Sequence, residues 1–272
     1  MPHLITHDGL PLVGESHGSG AGVLFVHANG FCKEVWRPVS GRLAGVRVLA
    51  VDQRGHGASG VGLPPFDWWD LGRDAAAWAA TLDGPRFGVG HSSGGAALAM
   101  AEILHPGTFR HLVLIEPIVF PGPFVRAESH PLVEGALRRR TSFTSRAEAR
   151  AAFHRRGPFA RWVDAALDLY VEHGFRDGPD DRRHLVCAPA IEAEFYRMAT
   201  AHGAWDRLGE IDIPVTIVVG EHSDSHPPDF AAALAGRFRH ATLVSYPGAS
   251  HFLPMEKPEV VAGLVGRVVA DG

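Results

Sequence analysis

Two periods alternate along the first 117 residues of the chain. Continuous apolar runs at 22–27, 47–52, 86–90 and 111–115 each end in a polar turn, and between them 68–82 and 94–104 repeat apolar residues at helical spacing. Runs without an in–out alternation suit strands buried on both faces, so the pattern predicts a parallel sheet with helical crossovers. The stretch 5–15, with Asp8-Gly9 near its middle, predicts a hairpin at the sheet edge. From 118 to 210 the strand texture vanishes and three helical patterns follow one another. Ser145 and Glu148 have capping-box spacing, and Phe159, Trp162, Val163, Ala166, Leu169 and Tyr170 recur with helical period. Pro189 then opens a helix that His202-Gly203 closes. Strands return at 215–219 and 241–246, and Pro258 starts a last helix with Val260, Val261, Leu264, Val265 and Val268 on one face. The expectation is an α/β core made by 1–117 and 211–272, with 118–210 inserted as a helical cap.

Composition narrows the function classes. With 46% hydrophobic and 21% charged residues among 272, the chain can bury a sizeable core. Its 26 Lys and Arg against 30 Asp and Glu leave a formal charge of −4, which lacks the basic excess that a phosphate backbone demands. No apolar run approaches the ~20 residues needed to cross a bilayer, and no signal-like start is present, so a soluble, cytoplasmic protein is expected. Cys32 and Cys187 are too few for a disulfide framework and are expected as reduced thiols. The 17 histidines include no His-Glu-x-x-His pattern of a zinc hydrolase.

One motif carries chemistry in the right context. Gly90-His91-Ser92-Ser93-Gly94 satisfies Gly-x-Ser-x-Gly directly after a buried strand and directly before a small-residue helix. A serine hydroxyl is a weak nucleophile, so it needs a sharp turn for exposure, a helix N-terminus to favour developing negative charge, and a base within reach. Ser92 is therefore the expected nucleophile, with His91 pointing away from it. The base is expected late in the chain on a loop after a strand, where His251 follows the Pro247-Gly248 turn. A carboxylate must fix the tautomer of that histidine. Asp224, just past the 215–219 strand and in the chain order Ser, Asp, His, is the first candidate, and Glu116, at the end of the 111–115 strand, competes for the role. Glu221 reads as a loop anchor.

These residues and their surroundings resemble the α/β-hydrolase family over nearly the whole chain. His27-Ala28-Asn29-Gly30-Phe31 is similar to the family's oxyanion turn, with Ala28 where a glycine is usual. The segment from Asp52 to Ser59 resembles its Asp-x-Arg-Gly-x-Gly-x-Ser turn, and Ser250-His251-Phe252 its histidine loop. The resemblance implies an eight-stranded, mostly parallel sheet with the site at the carboxyl ends of the strands beneath the cap. It also implies an oxyanion hole from the backbone N–H groups of Asn29 and Ser93, with the Asn29 side chain as a possible further donor. Asp52 and His56 are expected as turn residues. Asn29 and Glu116 also resemble halide-binding and acid positions of haloalkane dehalogenases, but that branch uses an aspartate nucleophile and position 92 is serine.

The activity implied is that of a serine hydrolase of the esterase or lactonase branch, cleaving a small, mainly apolar ester, thioester or lactone without metal or organic cofactor. A C–C bond hydrolase, an acyltransferase, a cofactor-free oxygenase and a non-catalytic ligand receptor remain open alternatives on residue identity. Partners are expected to be a small-molecule substrate and at most a second copy of the chain. Arg138-Arg139-Arg140 reads as a solvated charge run, and Phe120, Phe124, Phe143, Phe195 and Tyr196 as cap residues over the pocket.

Overall fold

A computed structural model describes residues 2–64 and 66–272. In chain order the core begins with strands β1 (Pro2–His7), β2 (Leu10–Gly18) and β3 (Ala21–Val26), the short helix α1 (Arg37–Ser40), β4 (Val46–Val51), α2 (Trp68–Ala79), β5 (Arg86–His91), α3 (Ser93–Leu104) and β6 (His111–Ile115). The inserted region holds α4 (Pro131–Leu137), β7 (Ser142–Phe143), α5 (Arg146–Phe153), α6 (Asp164–His173), β8 (Phe175–Asp177), β9 (Arg183–Leu185) and α7 (Pro189–Met198). The core resumes with β10 (Val215–Gly220), α8 (Pro228–Ala235), β11 (Ala241–Tyr246), α9 (Leu253–Glu256) and α10 (Pro258–Asp271).

Eight strands form one sheet in the order β1-β2-β4-β3-β5-β6-β10-β11, parallel from β4 to β11 and antiparallel at the β1–β2–β4 edge. The β1–β2 hairpin turns through Asp8 and Gly9, both at positive φ, which is why the Asp-Gly pair marks it. Both faces of the central strands are covered. Leu24, Val26, Leu49 and Val51 pack under α2 and α3, while Val23, Phe25, Val48 and Ala50 pack against α1 and α10. That double burial explains apolar runs without alternation.

The cap differs from the expectation of helices alone. Strands β7, β9 and β8 form a small antiparallel sheet within it, and α4 is an additional helix. Phe159 and Trp162 share the apolar period but lie outside α6, because Gly157–Phe159 is a 3-10 turn and Val163 is extended before the helix begins at Asp164. The last cap helix stops at Met198 rather than near His202. Ser145 does cap α5, accepting from the Glu148 N–H at 3.1 Å, but the Glu148 carboxylate reaches the Thr144 N–H instead of closing the box on Ser145. Among the described residues no helix is long and apolar enough to cross a membrane.

Candidate active site

Between β5 and α3 the chain turns at Ser92 with φ 56° and ψ −115°. This region disfavours a residue with a Cβ by on the order of 1–3 kcal/mol, so surrounding bonds must hold it. The Ser92 N–H donates to Ile115 O at 2.9 Å, and its carbonyl accepts from the N–H groups of Ala96 and Ile118 at 3.2 Å each. Glycines flank it for steric reasons: a Cβ on Gly90 would meet Gly94 O at 2.4 Å, and one on Gly94 would meet Val26 O at 2.2 Å. The Ser92 side chain takes no part in capping α3, which leaves its hydroxyl for other work. As expected, His91 points elsewhere. Its Nε2–H donates to the carbonyl of His251 at 2.8 Å, tying the histidine loop to the residue beside the serine. Burial, then the neighbouring His251, push the His91 ring down to about 3, so it is neutral.

The expected pairing of Asp224 with His251 is not formed. Asp224 is exposed, and no hydrogen bond or ion pair among the described residues links it to that ring. Glu116 stands there instead, with Oε2 3.2 Å from His251 Nδ1 and with no exposed surface. The physical reason is a second strained turn: Glu116 has φ 51°, with its N–H on Val218 O at 2.9 Å, so the chain bends at the end of β6 and carries the carboxylate toward β10 and the histidine loop. The Gly220 N–H (2.7 Å) then fixes its Oε1, and the Ser223 hydroxyl (2.5 Å) binds Oε2. Burial opposes ionisation, but hydrogen bonds from His226 and His251 outweigh it and hold the Glu116 carboxyl well below the usual carboxylate range. Glu221 anchors a loop as expected, accepting from the Gly248 N–H at 2.7 Å.

Sequence reasoning missed two neighbours of this carboxylate. His226, buried, places Nδ1 2.8 Å from Glu116 Oε2 and Nε2 3.1 Å from Pro117 O. The Ser225 hydroxyl lies 3.0 Å from Nδ1 of both His226 and His251 and 3.2 Å from Glu116 Oε2. Neither belongs to a periodic pattern or a motif, and only the fold of the 223–226 loop brings them in.

Across the site, the turn after β3 is built on neutral histidines. His27 Nδ1–H donates to Ala28 O at 2.7 Å while its Nε2 accepts the Gln53 N–H at 3.1 Å, and burial lowers the ring to about 4. His56 donates from Nδ1 to Arg54 O and accepts the Gly30 N–H at Nε2, with burial lowering it to about 3. Gln53 Nε2 bridges the two halves, donating to His27 O at 2.6 Å and Ser93 Oγ at 3.0 Å. The Asn29 side chain is engaged with the cap: its Nδ2 donates to Glu192 O at 3.1 Å. Asp52 is a turn residue as expected, accepting from the Lys33 N–H and Nζ at 2.8 Å each and from the Ala58 N–H at 3.0 Å.

The cap meets this turn through an inward arginine. Arg139 is not solvated like its neighbours; it pairs with Glu192 and donates to the Tyr170 hydroxyl at 2.7 Å, next to Gly30. Phe31, Trp162 and Phe252 stack edge-on or tilted at 5.2–6.2 Å, with Phe252 also edge-on to His251 at 5.2 Å. Of the cap aromatics expected over the pocket, Phe120 lies 6.1 Å from the His226 ring, whereas Phe143 packs inside the cap with Phe153 and Phe175. Phe195 is buried against Phe66, and Tyr196 against the helix pair α4 and α7. A surface groove of about 640 Å³ beside Ala21, Val46 and Glu259 lies at the opposite ends of the strands from these groups.

Known proteins share this frame. The chain is 28% identical over 252 residues to 2-(acetamidomethylene)succinate hydrolase of Mesorhizobium japonicum, covering 89% of this chain and 86% of that protein. It is 28% identical over 266 residues to a non-heme haloperoxidase of Rhodococcus erythropolis, covering 92% and 93%. The crystal structure of the peroxisomal alpha-beta-hydrolase Lpx1 from Saccharomyces cerevisiae superposes with a TM-score of 0.83 at 20% identity, over 96% of this chain and 82% of that one. With a model of the alpha/beta hydrolase family matching residues 23–264, and the strained serine turn sitting where that fold puts it, the chain belongs to the alpha/beta hydrolase family.

Proposed function

We propose that the protein is a serine hydrolase that cleaves a small ester, thioester or lactone through an acyl-enzyme on Ser92. The observation that carries this reading is the strained Ser92 turn, whose neighbour His91 is bonded to the carbonyl of His251, together with a buried carboxylate from the adjacent strand end, Glu116, that holds His251 Nδ1. His251 Nε2 takes the hydroxyl proton as Ser92 Oγ attacks the carbonyl, and Glu116 keeps the ring in the tautomer that presents Nε2 and stabilises the imidazolium. The oxyanion forms between the backbone N–H groups of Asn29 and Ser93, each donor contributing a few kcal/mol in a site that excludes water. His251 then protonates the leaving group, and a water activated by the same ring releases the acid. Glu116 rather than Asp224 is the acid because it touches the ring.

The substrate is small and mainly apolar near the scissile bond. Phe31, Trp162 and Phe252 offer an aromatic wall beside His251, and a relative named for hydrolysis of an acetamido-bearing succinate favours small molecules over polymers. The test is intact-mass analysis of wild type and Ser92→Ala after incubation with a fluorophosphonate and an acyl-ester panel. Adduct and turnover in the wild type, and neither in the variant, are expected; an adduct on Ser92→Ala would overturn the assignment.

A further inference from the structure

A hydrogen-bonded dyad needs one partner for His251 Nδ1, and this chain supplies two more polar atoms around the same point than the chemistry above requires. Glu116 Oε2 lies 2.8 Å from His226 Nδ1 and 3.2 Å from His251 Nδ1. Ser225 Oγ stands 3.2 Å from the carboxylate oxygen and 3.0 Å from each imidazole nitrogen. All three His and Glu ligand atoms fall within 4.8 Å of one another. A tetrahedral ion with bonds of ~2.0 Å separates its ligands by about 3.3 Å, and the Glu116 oxygen already stands 2.8 and 3.2 Å from the two imidazole nitrogens.

The outer contacts are those that metal ligands make. A ligating histidine donates its other ring N–H to a carbonyl or carboxylate, and His226 Nε2 sits 3.1 Å from Pro117 O. A ligating carboxylate is itself hydrogen-bonded, and Glu116 Oε1 accepts the Gly220 N–H at 2.7 Å. These contacts leave Nδ1 of His226 and Oε2 of Glu116 aimed at the common point. Two imidazoles and one carboxylate form a donor set suited to zinc, with neutral Ser225 at the fourth corner.

We propose that Glu116, His226 and His251 form a tetrahedral site for a divalent cation of the zinc type, and that filling it switches the hydrolase off. Binding forms two metal–nitrogen bonds, one bond to the Glu116 carboxylate oxygen and one to the neutral Ser225 hydroxyl oxygen; any proton on either Nδ1 leaves to solvent as its lone pair goes to the ion. The ion draws electrons from the His251 ring through Nδ1 and sets a double positive charge beside it, so Nε2 no longer takes a proton from Ser92. Occupancy of the site does not depend on the serine-hydrolase reading; only the loss of turnover rests on it.

Cobalt(II) titration reads occupancy without any turnover. Wild type should take up one equivalent with the intense visible absorption of tetrahedral cobalt, and His226→Gln and the near-isosteric Glu116→Gln should each weaken uptake by about 100-fold or more. His240→Gln, at an exposed histidine paired with Asp212 before the start of β11, the opposite end of that strand from the histidine loop, should leave the cobalt spectrum unchanged. In wild type, one equivalent of zinc should abolish ester turnover and a chelator should restore it, while His226→Gln keeps its own residual rate in zinc. A pale octahedral spectrum, or cobalt uptake that survives both ligand variants, would mean adventitious binding to surface histidines and end the proposal. Zinc inhibition of equal potency in His226→Gln would end it as well. Loss of fluorophosphonate labelling with normal cobalt uptake would instead overturn the serine-hydrolase reading and leave the metal site standing.

Discussion

The loops that follow β6 and β10 leave neighbouring strands of the sheet and each carries a carboxylate, yet they place it in opposite ways. Glu116 is buried, bent by a positive φ and bonded to Gly220, Ser223, His226 and His251, whereas Asp224 stands in solvent directly before Ser225, the serine that does reach the ring. The lesson is that chain order does not decide which carboxylate meets the imidazole. What chooses it is the backbone turn that drives one carboxylate into a dry place with donors waiting, where ionisation is favoured in spite of burial.

Kinetics should separate the two loops most sharply. Glu116→Gln is expected to lower kcat by about 10⁴, the effect of leaving a catalytic imidazole in the wrong tautomer, while Asp224→Asn stays within about twofold of wild type. Side-by-side progress curves on one activated ester check it, and the reverse ranking would return the acid to Asp224.

Stability should divide the loops in the same sense. Removing one partner of a buried ionic cluster costs about 3 kcal/mol, so urea unfolding of Glu116→Gln at pH 7 should show a loss of that order and Asp224→Asn almost none. The pH dependence has a definite sign. Because the folded carboxyl of Glu116 titrates below its unfolded value, its contribution is complete above about pH 4.3 and fades as pH falls toward the folded value. The gap between wild type and Glu116→Gln should therefore narrow on acidification, and the Asp224→Asn curve should run parallel to wild type throughout.

His91 is bonded to the carbonyl of His251, and burial lowers its ring to about 3. The unfolded chain takes up that proton near pH 6.5 and the folded chain does not, so stability is present above that pH and drains away as pH falls toward 3. His91→Gln should make the fall between pH 6 and 4 shallower by about 1.4 kcal/mol per pH unit, as measured by urea midpoints across that range. An unchanged slope would mean that the ring is protonated in the fold.

The smallest expected effect concerns the support of the acid. Ser223→Ala removes one hydrogen bond to Glu116 Oε2 but leaves those from Gly220 and His226, so kcat/KM should drop about tenfold, matching the ~1.5 kcal/mol of a bond to a charged group. His222→Ala in the same loop, which points no hydrogen-bonding ring atom at Glu116, should change little.

Local chemistry made much of this molecule readable from its residues. The buried strands announce themselves by apolar runs, the hairpin by Asp8-Gly9, and the serine turn by glycines that only close backbone approach requires. The cap was less readable because β7, β8 and β9 have two or three residues each, too few for an alternation to show. Phe159 and Trp162 kept a helical period without a helix, since Pro158 and the extended Val163 interrupt the backbone while their side chains still share one apolar cluster. The choice of Glu116, and the arrival of Ser225 and His226, depend on where two strand ends meet in space, and no pattern along one strand encodes that meeting.

The bond from the Asn29 side chain to the cap ends on a backbone oxygen, that of Glu192. Every residue type carries that oxygen, so this bond between the cap and the turn after β3 survives replacement of the side chain at 192 for as long as α7 keeps its helix, whereas the pair with Arg139 does not. A backbone tie of this kind lets position 192 vary in a descendant chain while one link between cap and core stays in place, so the two parts need not change together.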